Sequence, residues 1–315
     1  MAKYYLLPKE TMDRLPALKH PVWALEAAVF YLLYGAARLM SVGLAGRVFG
    51  ALLGTLGARN PNKQRPVRRN LAVILPEADE DTRTRLARTI FRNTGLAAAE
   101  LFLLDRIWRG RDRYLEFHLH PEAEAAIRRK QAIVFATAHV GAWQVTNLVG
   151  RAYDLSISVL YAPDRNPWMN RFFLARRRHF GGPLVPSTGG ARDMIRELAA
   201  GRSVGAAFDT RIDEGEMVPF FGVPTLTNTL PALLALRGYP LIPIRAVRLP
   251  GPRYRVEVLA PLAPPDRDAP RKEQVLDLTT RLNDVFEDWI REDPGQWLCL
   301  KRRWPKPRPP QPADG

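Results

Sequence analysis

The chain is 315 residues long, 46% hydrophobic and 25% charged, which suits one large or two modest folded domains and excludes a disordered chain. Its single cysteine, Cys299, excludes an intramolecular disulfide framework and a cysteine-based zinc site. The formal net charge of +15 points to an anionic partner, but the excess is uneven: residues 1–70 hold 11 Lys/Arg against 3 Asp/Glu, residues 301–315 hold 5 against 1, and the stretch between holds 31 against 28. A nearly balanced middle argues against a nucleic-acid-binding body, so no nucleic acid is expected as a partner.

Residues 21–37 (PVWALEAAVFYLLYGAA) carry one charge, Glu26, and a second weakly polar stretch (39–58, LMSVGLAGRVFGALLGTLGA) follows Arg38. As a helix the first run spans about 26 Å, slightly short of a ~30 Å hydrocarbon core, and reaches across it only if extended to Leu44 with Arg38 snorkelling. Lys3, Lys9, Arg14 and Lys19 precede it and Arg59, Lys63, Arg65, Arg68 and Arg69 follow, so charge assigns no orientation. The pattern predicts an N-terminal hydrophobic helical membrane anchor within residues 1–65, spanning or lying in one anionic leaflet. The alternative is a helix pair buried in a soluble protein.

Leu86, Ile90, Leu96, Leu101 and Leu104 recur at a helical period and predict a helix over 81–107. Strands and helices then alternate. AIVFAT (132–137), SISVLYA (156–162) and SVGAAFD (203–209) read as buried strands. GAWQVTNLVGRAY, NPWMNRFFLARRR (166–178, proline at its start) and ARDMIRELAAG (191–201, closed by glycine) read as helices. Residues 227–237 read as a helix, 240–247 and 254–260 as strands, and 273–291 as an amphipathic helix. The order predicts a mixed, mostly parallel α/β sheet flanked by helices, in a domain over 66–304. The basic, proline-rich 305–315 is expected to be a flexible tail.

Of five histidines, His20 precedes the apolar run, His118 and His120 lie in or beside a strand, and His179 sits in an arginine cluster. His139 is the one placed for catalysis, in TAHVGAW just past the carboxyl end of a buried strand, where open α/β sheets form their ligand crevice. A neutral imidazole there can take a proton from a substrate hydroxyl. Nothing in the sequence asks for a cofactor or a metal.

Six separated segments occur in a telling order: RRNLAVILPE (68–77), HVGAWQ from His139, YAPDRNPWMNRFFLARRRHFGG (161–182), AAGRSVGAAFDT (199–210), MVPFFGVPTLTNT (217–229) and WIREDPGQWLCLKRRW (289–304). Together they resemble the late lipid A acyltransferases, the lauroyl/myristoyl transferases of Gram-negative envelopes, within the lysophospholipid acyltransferase superfamily. The likeness covers nearly the whole chain. It implies transfer of an acyl chain from an acyl-carrier-protein thioester, or from acyl-CoA, to a hydroxyl of an anionic glycolipid, a lipid A precursor or similar, at the cytoplasmic face of the inner membrane. In that resemblance His139 is the general base and residue 144 holds the motif's acid. Arg177 binds a phosphate or the developing oxyanion, Asn166 and Asp209 are polar pocket positions, Phe221 and Gly222 belong to a loop lining an acyl groove, and Arg303 lies in the closing motif.

The sequence departs from the family pattern at three places. The acid position of H-x4-D/E is Gln144, which is neutral and cannot compensate an imidazolium. Thr210 follows Asp209 where the family has Gln or His, and Cys299–Leu300–Lys301 replaces W-x-H. Two expectations follow. Either another carboxylate serves His139, with Asp209 the candidate, or the chain is a lipid-binding relative that has lost turnover.

Overall fold

The computed structural model describes residues 14, 16–178, 182–187 and 189–305. Four helices come first: α1 (Lys19–Arg38), α2 (Val42–Ala58), α3 (Pro61–Ile74) and α4 (Glu80–Phe102). Ser41, Asn60 and Asp79 cap the amino ends of α2, α3 and α4 by accepting from Leu44, Lys63 and Thr82 N–H, each satisfying an otherwise orphaned donor. Short α5 (Leu104–Arg109) and α6 (Arg111–Tyr114) lead to β1 (Leu115–Leu119), α7 (Pro121–Arg128) and β2 (Val134–Thr137). A 3-10 segment, Trp143–Asn147, runs into α8 (Leu148–Ala152), then β3 (Ile157–Tyr161), α9 (Pro167–Arg177), β4 (Leu184–Pro186), α10 (Gly190–Ala199) and β5 (Ser203–Ala207). A hairpin of β6 (Glu216–Phe220) and β7 (Val223–Thr227) precedes α11 (Leu230–Ala235), β8 (Leu241–Leu249), β9 (Arg253–Val258) and α12 (Arg271–Glu292).

Seven strands form one sheet in the order β1-β9-β8-β2-β5-β3-β4, with every neighbouring pair parallel except β8 and β9. The expected mixed, mostly parallel sheet is therefore present. Central β2 is buried along its whole length, and its side chains alternate between two cores. Phe135 joins the cluster holding Phe49, Phe102 and Ile244, while Val134 and Ala136 join the one holding Leu71, Ile90, Phe286 and Trp289.

The N-terminal anchor expectation needs correction. Among the described residues no helix is long and apolar enough to cross a membrane. One face of α1 and one of α2 pack against the domain. Phe30 and Tyr34 of α1 meet Phe102 and Phe172 edge to face at ring distances of 4.9–5.7 Å. Arg38 does not snorkel: it pairs with Asp105 at 2.5 Å, and Arg106 bonds the carbonyls of Met40 and Arg38. The glycines of α2 let it lie directly on α4. A Cβ on Gly95 of α4 would stand 2.1 Å from Phe49 O of α2, so only bare backbone permits this approach. The boundary expected at residue 65 falls inside α3, and residues 306–315 of the expected tail lie outside the described residues.

Candidate active site

The register of β2 and β5 assembles the site. Thr137 pairs with Ala207, so the chains leave the sheet in step, and two residues later each delivers one polar side chain: His139 from β2 and Asp209 from β5. His139 Nδ1 lies 2.7 Å from Asp209 Oδ1. Asp209 is wholly buried, whereas 29% of the His139 side chain is exposed. The second carboxylate oxygen, Oδ2, accepts from the indole Nε1–H of Trp297 at 2.9 Å. A buried carboxylate with an imidazole on one oxygen draws the proton to Nδ1, leaving Nε2 as the basic nitrogen.

Burial disfavours the charged imidazolium, but the Asp209 charge and hydrogen bond outweigh it and raise the His139 pKa above its ordinary 6.5; Lys301 opposes weakly. Burial likewise works against the Asp209 carboxylate, yet His139 and the Trp297 N–H hold its pKa below the usual 3.8.

The turn that presents His139 is tight. Val140 N–H donates to Ala138 O at 2.7 Å, and Gly141 has φ +61°. A Cβ there would sit 2.5 Å from Ala246 O, so glycine is required by both conformation and space. The segment 294–304 straps the turn from outside. Leu298 N–H donates to His139 O at 2.7 Å, Gly141 N–H donates to Gln296 O at 3.1 Å, and Val140 bridges Trp297. Asn70 of α3 fastens the strap by donating to the carbonyls of Cys299 and Lys301 and accepting from Arg303 N–H. Arg248 joins in by donating to Gln296 Oε1 at 2.8 Å while gripping Glu100 with two bonds of 2.7 and 2.9 Å. Cys299 is buried in this strap, its thiol directed to Lys301 O; burial and the Asp209 charge push its pKa up.

The other expected site residues are placed as follows. Gln144 is buried in the 3-10 segment, and among the described residues no hydrogen bond joins its side chain to His139 or Asp209; the carboxylate at His139 is Asp209. Arg177 is half-buried near the carboxyl end of β3, on the same edge of the sheet as His139. Its guanidinium lies 5.3 Å from the Tyr161 ring centre and 5.5 Å from that of Phe173, with no carboxylate pair among the described residues; burial lowers its pKa. Asn166 is fully buried as the amino cap of α9, accepting from Trp168 and Met169 N–H and donating to Trp23 O, which ties α1 to the domain. Phe221 and Gly222 form the two-residue turn of the β6–β7 hairpin, both at positive φ. The Phe221 N–H donates to Glu287 Oε1 and Arg291 stacks on its ring, so its contacts run to α12. Arg303 is wholly buried and directs its guanidinium into β7, at Thr225 Oγ1, Leu226 O and Thr227 Oγ1; burial lowers its pKa to about 10. His179 lies outside the described residues.

Trp297 is the site residue that the sequence does not single out. It stands in the closing motif, but its link to Asp209 joins positions 88 apart. Trp143 flanks the site too, with its ring 4.8 Å from that of His139. A slot of about 30 Å³, room for roughly one or two waters, lies beneath it, lined by Phe135, Thr137, Trp143, Gly205, Ala207 and Ile244. The far roomier cavity of about 790 Å³ lies at the amino end of β8, lined by Arg129, Gln131, Tyr239, Leu241 and Arg267 among others. Neither cavity is lined by His139 or Asp209, so the site is assigned by the contact between those two side chains rather than by volume.

A family model described as bacterial lipid A biosynthesis acyltransferase matches residues 12–306. Among solved structures the chain is similar to the 1-acyl-sn-glycerophosphate (LPA) acyltransferase PlsC from Thermotoga maritima, at 11% identity and a TM-score of 0.34 over 78% of this chain and 96% of that one. No protein with a curated description matches it.

Proposed function

Since the chain belongs to the bacterial lipid A biosynthesis acyltransferase family, whose chemistry is acyl transfer, we propose that it moves a fatty acyl chain from a thioester to a hydroxyl of a lipid A precursor or similar glycolipid, with His139 as general base. The observation that carries this reading is the 2.7 Å contact between His139 Nδ1 and the buried Asp209 carboxylate. His139 Nε2 takes the proton as the hydroxyl oxygen attacks the thioester carbonyl carbon. When the tetrahedral intermediate collapses, the C–S bond breaks and the imidazolium returns the proton to the departing sulfur, leaving an ester and a thiol. Asp209 stabilises the imidazolium between these steps. No acyl-enzyme is required.

Arg177 fits the role of an anion binder, either for an acceptor phosphate or for the oxyanion: two aromatic faces orient it and no acid partner among the described residues neutralises it. Acyl-carrier protein, which is acidic, suits the donor because Lys301 acts electrostatically on His139 and so adds positive charge at the site; acyl-CoA is the other candidate. The surface of α1 and α2 suits an anionic leaflet. Leu44, Val48, Leu52 and Leu56 make an exposed stripe on α2, Leu25, Val29 and Leu32 are exposed on α1, and Arg47, Arg59, Lys63 and Arg65 are exposed on α2, α3 and the turn between them. Seated there on the cytoplasmic face of the inner membrane, the protein meets its lipid acceptor without crossing the bilayer.

A second reading, a lipid-binding protein without turnover, draws on Gln144 alone. Purified protein, a carrier-protein thioester and a lipid A precursor separate the two. Acyl transfer by wild type that is abolished in His139→Ala supports the enzyme. Tight lipid binding with equal background rates in both proteins supports the second reading.

A further inference from the structure

We propose that Trp297 is a positioning residue for the acyl-transfer site, its indole N–H fixing the Asp209 carboxylate so that the other carboxylate oxygen faces His139. The inference rests on the reading of His139 as the base and adds to it the group that makes Asp209 competent. An indole Nε1–H is a donor only and does not ionise at ordinary pH. Placed 2.9 Å from Oδ2, it demands a lone pair there, so the carboxyl proton is kept off Oδ2 and the carboxylate cannot rotate without losing that bond. Oδ1 then stands 2.7 Å from His139 Nδ1 and fixes the tautomer that leaves Nε2 free.

The surroundings hold the indole for this task. Trp297 is 1% exposed, and its ring lies 6.0 Å from that of Phe220 and 6.1 Å from that of Trp304. The backbone of the same residue bridges Val140, and the next residue donates to His139 O. One strap therefore holds both members of the pair: His139 through main chain and Asp209 through the indole.

Trp297→Phe keeps the ring and removes the donor. Removal of one hydrogen bond to a charged group predicts a fall in kcat of roughly tenfold to a hundredfold, with KM for both substrates within about twofold. The pH profile separates positioning from mere structure. Without the indole the carboxylate is free to turn away from Nδ1 and supports the imidazolium less, so the rising limb of the kcat profile moves to lower pH, toward that of Asp209→Asn. A folded Trp297→Phe protein whose limb stays put or moves up overturns the proposal.

A second arm needs neither turnover nor a folded Trp297→Phe. In ¹⁵N-labelled wild type and Trp→Phe variants the Trp297 indole resonance is identified, and Asp209→Asn is expected to move it upfield as the charge-assisted bond is lost. A resonance unmoved by Asp209→Asn overturns the proposal even if wild type transfers acyl chains. If wild type transfers none, the enzyme reading fails while the indole arm still decides whether Trp297 orients Asp209.

Discussion

The two ends of the sheet are built on opposite plans. At the amino end of β8 the protein leaves about 790 Å³ among loop prolines, Tyr239 and exposed arginines. At the carboxyl end β2, β5 and the strap converge on one imidazole and one carboxylate that are hydrogen-bonded to each other. That cavity and the His139–Asp209 pair thus stand at opposite ends of the strands. The difference teaches that in this fold a site is marked by titratable groups brought together by parallel register and held by buried partners, since only these shift a proton's position.

Changes at the carboxyl end should dominate. His139→Ala removes the proposed base and should cost on the order of 10⁴-fold in kcat, measured with the proposed thioester donor and glycolipid acceptor. Asp209→Asn should cost about 10³-fold and invert the direction of the histidine's shift. In wild type the rate should climb with pH through an inflection above 6.5, because neutral imidazole is needed and its pKa is raised. In Asp209→Asn, burial and Lys301 remain while the raising charge is gone, so the limb should fall to or below 6.5. Stability has the opposite sign: the imidazolium–carboxylate attraction favours the folded state below the ordinary histidine pKa and fades as pH rises through the raised one.

Support of the strap comes next. Arg248→Met leaves Glu100 buried and unpaired, and should lower unfolding free energy by about 3–5 kcal/mol, read from denaturant midpoints. Gln144→Glu should change kcat by less than about threefold, because the acid role is filled by Asp209; a gain of tenfold or more would shift that role to position 144. The smallest effect belongs to the roomy end. Arg267→Ala, exposed beside the large cavity, should alter stability by less than about 0.5 kcal/mol and leave turnover unchanged. A large loss of turnover there would erase the contrast between the ends.

Much of this arrangement can be read before any coordinates. The strands 132–137, 156–162 and 203–209 announce themselves as apolar runs, and they are β2, β3 and β5 within one or two residues at each end. His139 follows one such run and Asp209 closes another, so both are visible as candidates. What joins them is register, which no local pattern encodes. The segment 217–229 reads as a loop by resemblance, whereas Pro219 and Pro224 pair across a two-stranded ribbon whose outer carbonyls at Pro219 and Leu226 accept from Asn283 and Arg303. The helices α1 and α2 read as one membrane-spanning run because mean apolarity does not separate the faces that pack on the domain, such as the glycine face of α2 on α4, from those left exposed. Asn166 and Arg303 carry the chemistry of binding residues but are drawn inward, one to cap α9 and the other to β7, and burial is a property of the fold rather than of the residue type.

Cys299 gives this architecture a practical use. It is the only thiol in 315 residues and lies inside the strap that completes the His139 turn. Its burial keeps it protonated and beyond the reach of alkylating reagents while the strap is docked. Modification therefore requires the strap to lift, and the rate at which a reagent in excess labels the native protein measures the free energy of that single local opening. The chain thus carries its own stopwatch for how often the site comes apart.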